Sequence, residues 1–388
     1  MKTAIYGGSF NPPHLGHIEV VKTVSLYLKP DRIIIIPDNI PPHKELAENS
    51  PTAEQRMEMC RLAFGDIPGV EFSDMEIQRE GKSYTSDTLD KLHELYPDDD
   101  FYLVIGTDML TSFEEWYRFE HIFSMCILAV LSREEDDQEL IRETTERFTV
   151  EYGARIEILP HTPLVMSSTE IREKLRSRLG SDLLKDEVYS LIIKEGFYDA
   201  LPELSWLRDR AYEYLASKRV AHVMGCEDEA IRLSRLWGEN EETAATAAIL
   251  HDITKKLSFE EHLELIKKYN IPCDGEELEA PKLLHAKTGA EFAHELFGIN
   301  DEVYNAIRWH TTGKPDMSLL EKIIYMADYI EPSRDFEGVE KLRELAYNNL
   351  DSAMALGLEM SIEEIREKGR EPYKDTLEAC VYYNTEER

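Results

Sequence analysis

Residues 3–17 read Thr3-Ala4-Ile5-Tyr6-Gly7-Gly8-Ser9-Phe10-Asn11-Pro12-Pro13-His14-Leu15-Gly16-His17, a short apolar strand running into a Gly- and Pro-rich turn. Glycines placed directly after a strand let the backbone approach a phosphate with no Cβ in the way. Pro12-Pro13 stiffens the turn, and a helix starting after it aims its free N–H groups at anions. His14 and His17 fall on one face of the opening helical turn. Two imidazoles there can donate hydrogen bonds to phosphate oxygens as charge builds in a transition state. Either histidine alone would read as a cap or a packing residue; the pair inside this turn reads as phosphate-binding.

The chain downstream alternates strands and helices. Leu15–Leu28 is helical, and Arg32–Pro37 carries Ile33-Ile34-Ile35-Ile36, an apolar run of the kind buried in parallel sheets. Helix Ala53–Phe64, strand Val70–Ser73, helix Ser86–Leu95 and strands Phe101–Ile105, Cys126–Leu131 and Ile156–Leu159 continue the pattern, before a helix near Ser168. The expectation is a doubly wound α/β parallel sheet of Rossmann-like type, with ligands at the carboxyl ends of the strands. From about Leu204 the periodicity becomes helical throughout: Trp206–Met224, Asp228–Trp237, Glu241–Ile249, Phe259–Tyr269, Ala286–Phe297, Asp301–Arg308, Leu319–Ile330, Phe336–Glu359 and Ser361–Arg366. A boundary in Tyr198–Glu203 divides a domain of residues 1–199 from an all-α domain of residues 204–388. The acidic runs Asp98-Asp99-Asp100 and Glu134-Glu135-Asp136-Asp137 read as solvated loops.

The formal charge of −33 argues against a duplex nucleic-acid or anionic-membrane partner, because phosphate contacts need clustered Lys and Arg. It leaves room for nucleotides held by backbone N–H groups, a few basic side chains and metal ions. Five scattered cysteines with no C-x-x-C pair suggest no disulfide framework. The N-terminus does not read as a signal peptide, and no apolar run approaches bilayer-spanning length, so a cytoplasmic location is expected. Whether the chain forms a homo-oligomer is open.

A second phosphate-type element is Met166-Ser167-Ser168-Thr169-Glu170-Ile171-Arg172. Ser and Thr at a helix start satisfy free N–H groups, and Arg172 lies about one turn in, able to reach the same anion. Alone this is an ordinary cap; beside the first element it gains force. Together, GGSFNPPHLGH, Pro41-Pro42-His43-Lys44, Ser83-Tyr84-Thr85, Ile105-Gly106-Thr107-Asp108, Trp116 and SSTEIR resemble the H-x-G-H nucleotidyltransferase superfamily, and within it nicotinate-nucleotide adenylyltransferase. The resemblance implies adenylyl transfer from ATP, with Mg²⁺, to nicotinate mononucleotide by direct attack on the α-phosphate. It implies that His14 and His17 contact the transferring phosphate, that Lys44 and Arg172 hold the triphosphate, and that Ser168 and Thr169 add helix N-terminal donors. Gly8, Ser9 and Phe10 would line the nucleotide, Trp116 would stack on the pyridine ring, Thr85 would recognise its carboxylate, and Asp108 would orient a ribose or the metal. Phosphopantetheine or a flavin mononucleotide stays open as an alternative acceptor, as does the amidated pyridine mononucleotide.

In the second half, His222, His251-Asp252, His285, His310 and Asp328 each fall on a different helix or at its end. Ligands from several helices converging on one point are what a bundle-core metal site requires. Mixed imidazole and carboxylate donors suit iron, manganese or zinc, and a carboxylate such as Asp252 can bridge two ions. A lone buried histidine is usually a satisfied core residue; four in one helical domain, one beside an Asp after Ala248-Ile249-Leu250, point to metal. The segments LHDITK, LLHAKTGA, IRWHTTG and IIYMADYIEPSR resemble HD-domain phosphohydrolases, more narrowly the symmetrical diadenosine-tetraphosphate hydrolases. That resemblance implies a two-metal centre, with iron the expected metal, that activates water against a phosphorus. His222, His251, Asp252 and Asp328 would serve one ion, and Asp252, His285 and His310 the other. Lys255 and Arg334 are candidate phosphate contacts, and Thr311 and Thr312 candidate orienters of His310 or of a bound phosphate, while His262 and His294 read as surface or packing residues. The alternatives are an HD domain acting on other nucleotides and a nucleotide-binding regulatory module without turnover.

Overall fold

The computed structural model describes residues 1–40, 49–79, 81–132, 138–161 and 166–385. The chain divides into two compact units, Met1–Leu201 and Pro202–Arg388.

The first unit is a six-stranded, wholly parallel sheet: β1 (Lys2–Gly8), β2 (Arg32–Pro37), β3 (Val70–Phe72), β4 (Asp100–Gly106), β5 (Ile127–Ser132) and β6 (Arg155–Pro160). Its spatial order is β3-β2-β1-β4-β5-β6, so the chain reverses direction across the sheet between β1 and β4. Crevices open at such reversals, outside the carboxyl ends of the two strands. Gly8 ends β1 and Gly106 ends β4, so the Gly-rich turn sits at this point. Helices α1 (Leu15–Thr23), α2 (Ala53–Phe64), α3 (Thr85–Leu95), α4 (Thr107–Thr111), α5 (Phe119–Met125), α6 (Gln138–Tyr152), α7 (Ser168–Arg176) and α8 (Asp186–Glu195) connect and flank the strands. Ile33 to Ile36 are all at least 97% buried, each worth about 1.5–3 kcal/mol relative to exposure. The helix expected over Leu15–Leu28 ends at Thr23, and its last turn widens into a π-helical segment, Val24–Leu28. The reading of Asp98–Asp100 as solvated fails at Asp99. Its carboxylate accepts hydrogen bonds from Thr3 Oγ1 (2.7 Å) and Arg32 Nη2 (2.6 Å) and ties the amino ends of β1 and β2 to β4. Residues 134–137 lie outside the described residues.

The second unit is helical among the described residues: α9 (Leu204–Glu213), α10 (Ser217–Trp237), α11 (Glu241–Leu250), α12 (Phe259–Tyr269), α13 (Gly275–Glu279), α14 (Pro281–Phe297), α15 (Asp301–Trp309), α16 (Leu319–Ile330), α17 (Val339–Asn348), α18 (Leu350–Glu367) and α19 (Lys374–Thr385). At its centre lies α11, whose Ala244, Ala245, Ala247, Ala248, Ile249 and Leu250 are all buried, packed by α9, α10, α15 and α16. Small side chains permit that close approach from every direction. Two expected helices are corrected. Trp206–Met224 breaks at Tyr214–Ala216, and the second piece continues to Trp237. No Gly, Pro or capping side chain marks this break, and Leu207, Ala211 and Leu215 keep a buried four-residue spacing straight through it. Phe336–Glu359 breaks at Asn349, whose extended backbone and side chain, accepting from Ser352 N at 3.0 Å, start the helix that runs to Glu367.

Candidate functional sites

In the first unit, β1 passes through Gly7-Gly8 into a turn that ends where α1 begins. His14 is the N-cap of α1, and its backbone N–H donates to His17 Nδ1 at 3.1 Å. The two rings lie 3.7 Å apart, and the Nδ1 of His14 is buried with no hydrogen-bond partner. Burial pushes His14 down to about 4, so the ring is neutral at neutral pH and offers one N–H rather than a charge. Phe10 has a left-handed backbone (φ 42°) and a buried ring between His17 and Phe64, so only its backbone faces the turn's open side. A Cβ on Gly7 or Gly8 would meet protein only at ordinary contact distances, 3.7 Å and 3.5 Å. The fold itself therefore tolerates alanine at both positions, and the space they leave open serves something other than packing.

Helix α7 brings the second phosphate-type element onto this turn. Ser167 caps α7 reciprocally with Glu170. Ser168 Oγ donates to Pro12 O at 3.3 Å, and Arg172 donates to Asn11 O (2.7 Å) and Thr169 Oγ1 (3.0 Å). Tyr198 Oη fixes the Asn11 side chain at 2.7 Å. Thr85 opens α3, Asp108 lies in α4, and Trp116 follows shortly after, all on connections leaving or approaching the carboxyl edge of the sheet. Trp116 stacks on Phe113 (4.8 Å, 21°) and stays half-buried, while Asp108 folds back over Gly106, where a Cβ would lie 2.5 Å from its Oδ1. Lys44 lies outside the described residues. One residue escaped the sequence reading. Arg56 of α2 is fully buried and donates to Ser9 O (2.6 Å), Asp38 Oδ1 (3.1 Å) and Asp38 O (2.7 Å), tying the turn to the end of β2. Its signal was a cation in phase with the buried Ala53, Cys60 and Phe64.

In the second unit the six expected metal-type residues converge. Asp252, fully buried, stands between two sets of imidazoles. Its Oδ2 lies 3.4 Å from His251 Nε2 and 3.9 Å from His222 Nε2; its Oδ1 lies 3.1 Å from His285 Nε2 and 3.6 Å from His310 Nε2. Asp328 Oδ1 sits 3.0 Å from His222 Nε2, and the Nε2 atoms of His285 and His310 are 3.1 Å apart.

The outer nitrogens explain the convergence. Nδ1 of His251 faces Ala248 O (2.7 Å), that of His285 faces Lys282 O (2.5 Å), and that of His310 faces Ile307 O (2.7 Å). Nδ1 of His222 faces Glu331 Oε1 (2.9 Å). Each outer partner is an oxygen that accepts a hydrogen bond, so each ring carries its hydrogen on Nδ1 and turns an Nε2 lone pair inward. Thr311 and Thr312 do not orient His310, since both hydroxyls lack hydrogen-bond partners and Ile307 O does that work.

The centre fits a cation. His251 Nε2 and Asp252 Oδ1 are buried acceptors without hydrogen-bond partners. Burial opposes charge on Asp252 and Asp328, yet the surrounding imidazoles hold both carboxyl groups well below the usual carboxylate range. Burial pushes His285 down to about 3. Burial, then the carboxylates of Asp328, Glu331 and Asp252, raise the Cys226 thiol, which lies in the same cluster.

A cavity of about 480 Å³ opens beside the centre, with Arg219, Lys255, Lys282 and Arg334 in its walls. Lys255 lies in the turn after α11; its Nζ is 2.8 Å from His285 Nε2 and 3.5 Å from Asp252 Oδ1. Arg334 Nη2 donates to Asp328 Oδ1 at 2.6 Å, and Arg219 pairs with Asp252. These cations give the cavity wall beside the cluster a concentration of positive charge. His262 is buried and also lines the cavity, its Nδ1 2.9 Å from Thr288 Oγ1. His294 is not part of the centre.

Three more residues escaped the sequence reading: Glu331, Arg219 and Cys226. Arg219, His222 and Cys226 recur at helical spacing on one face of α10, which a periodicity count around His222 would have picked out. Glu331 reaches His222 only because residue 225 is glycine; a Cβ there would lie 2.7 Å from Glu331 Oε2.

Comparison with known proteins divides along the same line. A cytidylyltransferase-like family model matches residues 5–174, and an HD domain model matches residues 219–333. A probable nicotinate-nucleotide adenylyltransferase from Fusobacterium nucleatum is 40% identical over 198 residues, covering 50% of this chain and 98% of that protein. A symmetrical bis(5'-nucleosyl)-tetraphosphatase from Halalkalibacterium halodurans is 43% identical over 169 residues, covering 42% of this chain and 88% of that protein. Among solved structures, a predicted HD superfamily hydrolase involved in NAD metabolism from Clostridium acetobutylicum is 37% identical, covers 48% of this chain and 99% of that one, and has a TM-score of 0.47. The chain is thus a fusion enzyme, belonging through its first half to the nicotinate-nucleotide adenylyltransferase family and through its second to the HD-domain symmetrical tetraphosphatase family.

Proposed function

We propose that the first unit transfers an adenylyl group from ATP to nicotinate mononucleotide, releasing pyrophosphate, and that the second hydrolyses diadenosine tetraphosphate symmetrically to ADP. The observation that carries the reading is Asp252, which turns one oxygen to each of two histidine sets beneath a cavity walled by four cations. For the first unit, support comes from Arg172 and Ser168, which lie on the turn that presents His14 and His17.

In the first reaction the phosphate of the mononucleotide attacks the α-phosphorus, and the bond to pyrophosphate breaks. Chain residues position and neutralise; none becomes covalently attached. Neutral His14 and His17 donate to the transferring phosphate, and Arg172, with Lys44, holds the β- and γ-phosphates. The N–H groups at Ser168 and Thr169 face the same anion. Gly8, Ser9 and the Phe10 backbone leave room for the nucleotide. Thr85 and Trp116 receive the pyridine carboxylate and ring, and Asp108 orients a ribose or the Mg²⁺ that accompanies ATP.

In the second reaction, His222, His251, Asp252 and Asp328 would hold one divalent or trivalent ion, and Asp252, His285 and His310 the other, with iron the proposed metal. Bound there, the pair supplies an activated water and offsets charge on the departing phosphate. Lys255, Arg219 and Arg334 grip the flanking phosphates, and the carbonyl partners of the histidines keep every ligand lone pair inward.

The test supplies ATP with each of nicotinate mononucleotide, nicotinamide mononucleotide, phosphopantetheine and FMN, and separately supplies diadenosine tetraphosphate to metal-loaded chain. Pyrophosphate release with the nicotinate acceptor and ADP as the sole hydrolysis product are expected. Turnover of phosphopantetheine instead, or a metal-loaded chain inert on every dinucleotide, would overturn the corresponding half.

A further inference from the structure

Cys226 lies on α10 one turn beyond His222, 99% buried, with its Sγ 3.3 Å from His222 Nε2. Sulfur, His222, His251 and Asp328 each offer a donor atom, and the four donors lie within 4.8 Å of one another. Independently, His251 Nε2 is buried at this same point with no hydrogen-bond partner.

The spacings match donors that share an ion. Bonds of about 2.3 Å to sulfur and about 2.1 Å to nitrogen set the two atoms roughly 3.1–3.6 Å apart at angles of about 90–109°. The observed sulfur–nitrogen separation of 3.3 Å falls inside that window. Nitrogen–oxygen pairs at the same angles lie about 3.0–3.4 Å apart, and His222 Nε2 to Asp328 Oδ1 is 3.0 Å. In a shell of five or six donors, two that face each other across the ion lie about 4.4 Å apart, the sum of the two bond lengths, so a contraction of a few tenths of an ångström brings the set within reach of one ion.

We propose that Cys226 is a metal ligand, giving the position held by His222, His251 and Asp328 a sulfur donor that the position held by His285 and His310 lacks. The proposal rests on the two-ion reading above and refines it: the ions become inequivalent. As the sulfur–metal bond forms, the thiol proton passes to solvent. A thiolate beside two imidazoles and the carboxylates of Asp252 and Asp328 favours zinc or iron(II) over magnesium or manganese. The second position, with nitrogen and oxygen donors only, carries no such bias.

The experiment loads the full chain with cobalt(II) and records its spectrum, alongside metal content. Intense near-ultraviolet sulfur-to-cobalt charge transfer is expected. It should vanish in Cys226→Ser and Cys226→Ala while the weaker visible cobalt bands persist, and zinc retention against a chelator should fall at least about tenfold. X-ray absorption of the zinc-loaded parent should show sulfur at about 2.3 Å, a measurement that needs no variant to fold. Nitrogen and oxygen scatterers alone, or charge transfer that survives in Cys226→Ala, would overturn the sulfur ligand and leave the two-ion reading standing. A folded chain that binds no metal would overturn both.

Discussion

Replacing Glu331 tests whether the hydrolytic centre is held from outside the ligand set. Its carboxylate is 99% buried, faces His222 Nδ1 at 2.9 Å, and accepts from Ser333 N at 2.7 Å and Ser333 Oγ at 2.5 Å. Glu331→Gln keeps the shape and an acceptor oxygen but removes the charge that makes the inner Nε2 of His222 a stronger donor; Glu331→Ala removes both. Carboxylate partners of ligand histidines contribute about 10- to 100-fold in metal affinity, or roughly 1.4–2.7 kcal/mol. Glutamine should fall near the lower figure and alanine near the upper. Gly225→Ala reaches the same point sterically, because its methyl would sit 2.7 Å from Glu331 Oε2 and push the carboxylate off His222. The assay is competition for bound metal against a chelator of known affinity, with adenylyl transfer measured on the same samples. All three variants should lose metal affinity while transfer stays within about twofold, since Glu331 lies in the other compact unit. Unchanged metal affinity in Glu331→Ala, with folding intact by circular dichroism, would refute the claim that this carboxylate tunes His222.

The two chemistries should separate: His251→Ala abolishes diadenosine-tetraphosphate hydrolysis and spares adenylyl transfer, while His17→Ala does the reverse, both read by product chromatography. Gly8→Ala should leave the thermal midpoint within about a degree, because its Cβ meets protein only at 3.5 Å, yet raise KM for ATP at least about tenfold by filling the phosphate's approach. Arg56→Met should destabilise the first unit by roughly 3–5 kcal/mol, since it removes a fully buried cation together with the bonds it gives to Ser9 O, Asp38 Oδ1 and Asp38 O; urea unfolding measures this. His14, about 4 when folded against about 6.5 unfolded, takes up its proton first in the unfolded chain as pH falls. Its contribution is intact above pH 6.5, and about 3 kcal/mol is lost by pH 4, so calorimetry should show a shallower acid slope for His14→Asn.

The parts legible in the sequence share a physical cause. Ile33 to Ile36 could be nothing but an interior strand, and histidine-aspartate directly after Ala248-Ile249-Leu250 placed polar ligands where only metal or hydrogen bonds could hold them. Residues whose role depends on a distant partner were not legible. Arg56 reads as a surface cation until Asp38 and Ser9 arrive beside it; Glu331 reads as a turn residue until α10, thinned at Gly225, brings His222 within reach. Asp99 looked solvated because its partners, Thr3 and Arg32, come from other strands. The break at Tyr214–Ala216 stayed hidden because apolar spacing continues through it, whereas Asn349 carried a readable capping signal. Lys44 lies outside the described residues.

The burial of α11 from Ala244 to Leu250 has a consequence for how the hydrolase fails on heating. His251 and Asp252 follow directly on the buried stretch Ala244–Leu250, while only the far turn, Glu241 to Thr243, meets solvent, so an opening that displaces them must first part the helices gripping Ala244 through Leu250. Local melting draws on regions with few buried contacts, and this stretch is not one. Hydrolysis should therefore survive warming up to the collapse of its whole unit and then vanish with it, with no cooler interval in which a folded protein has already gone silent.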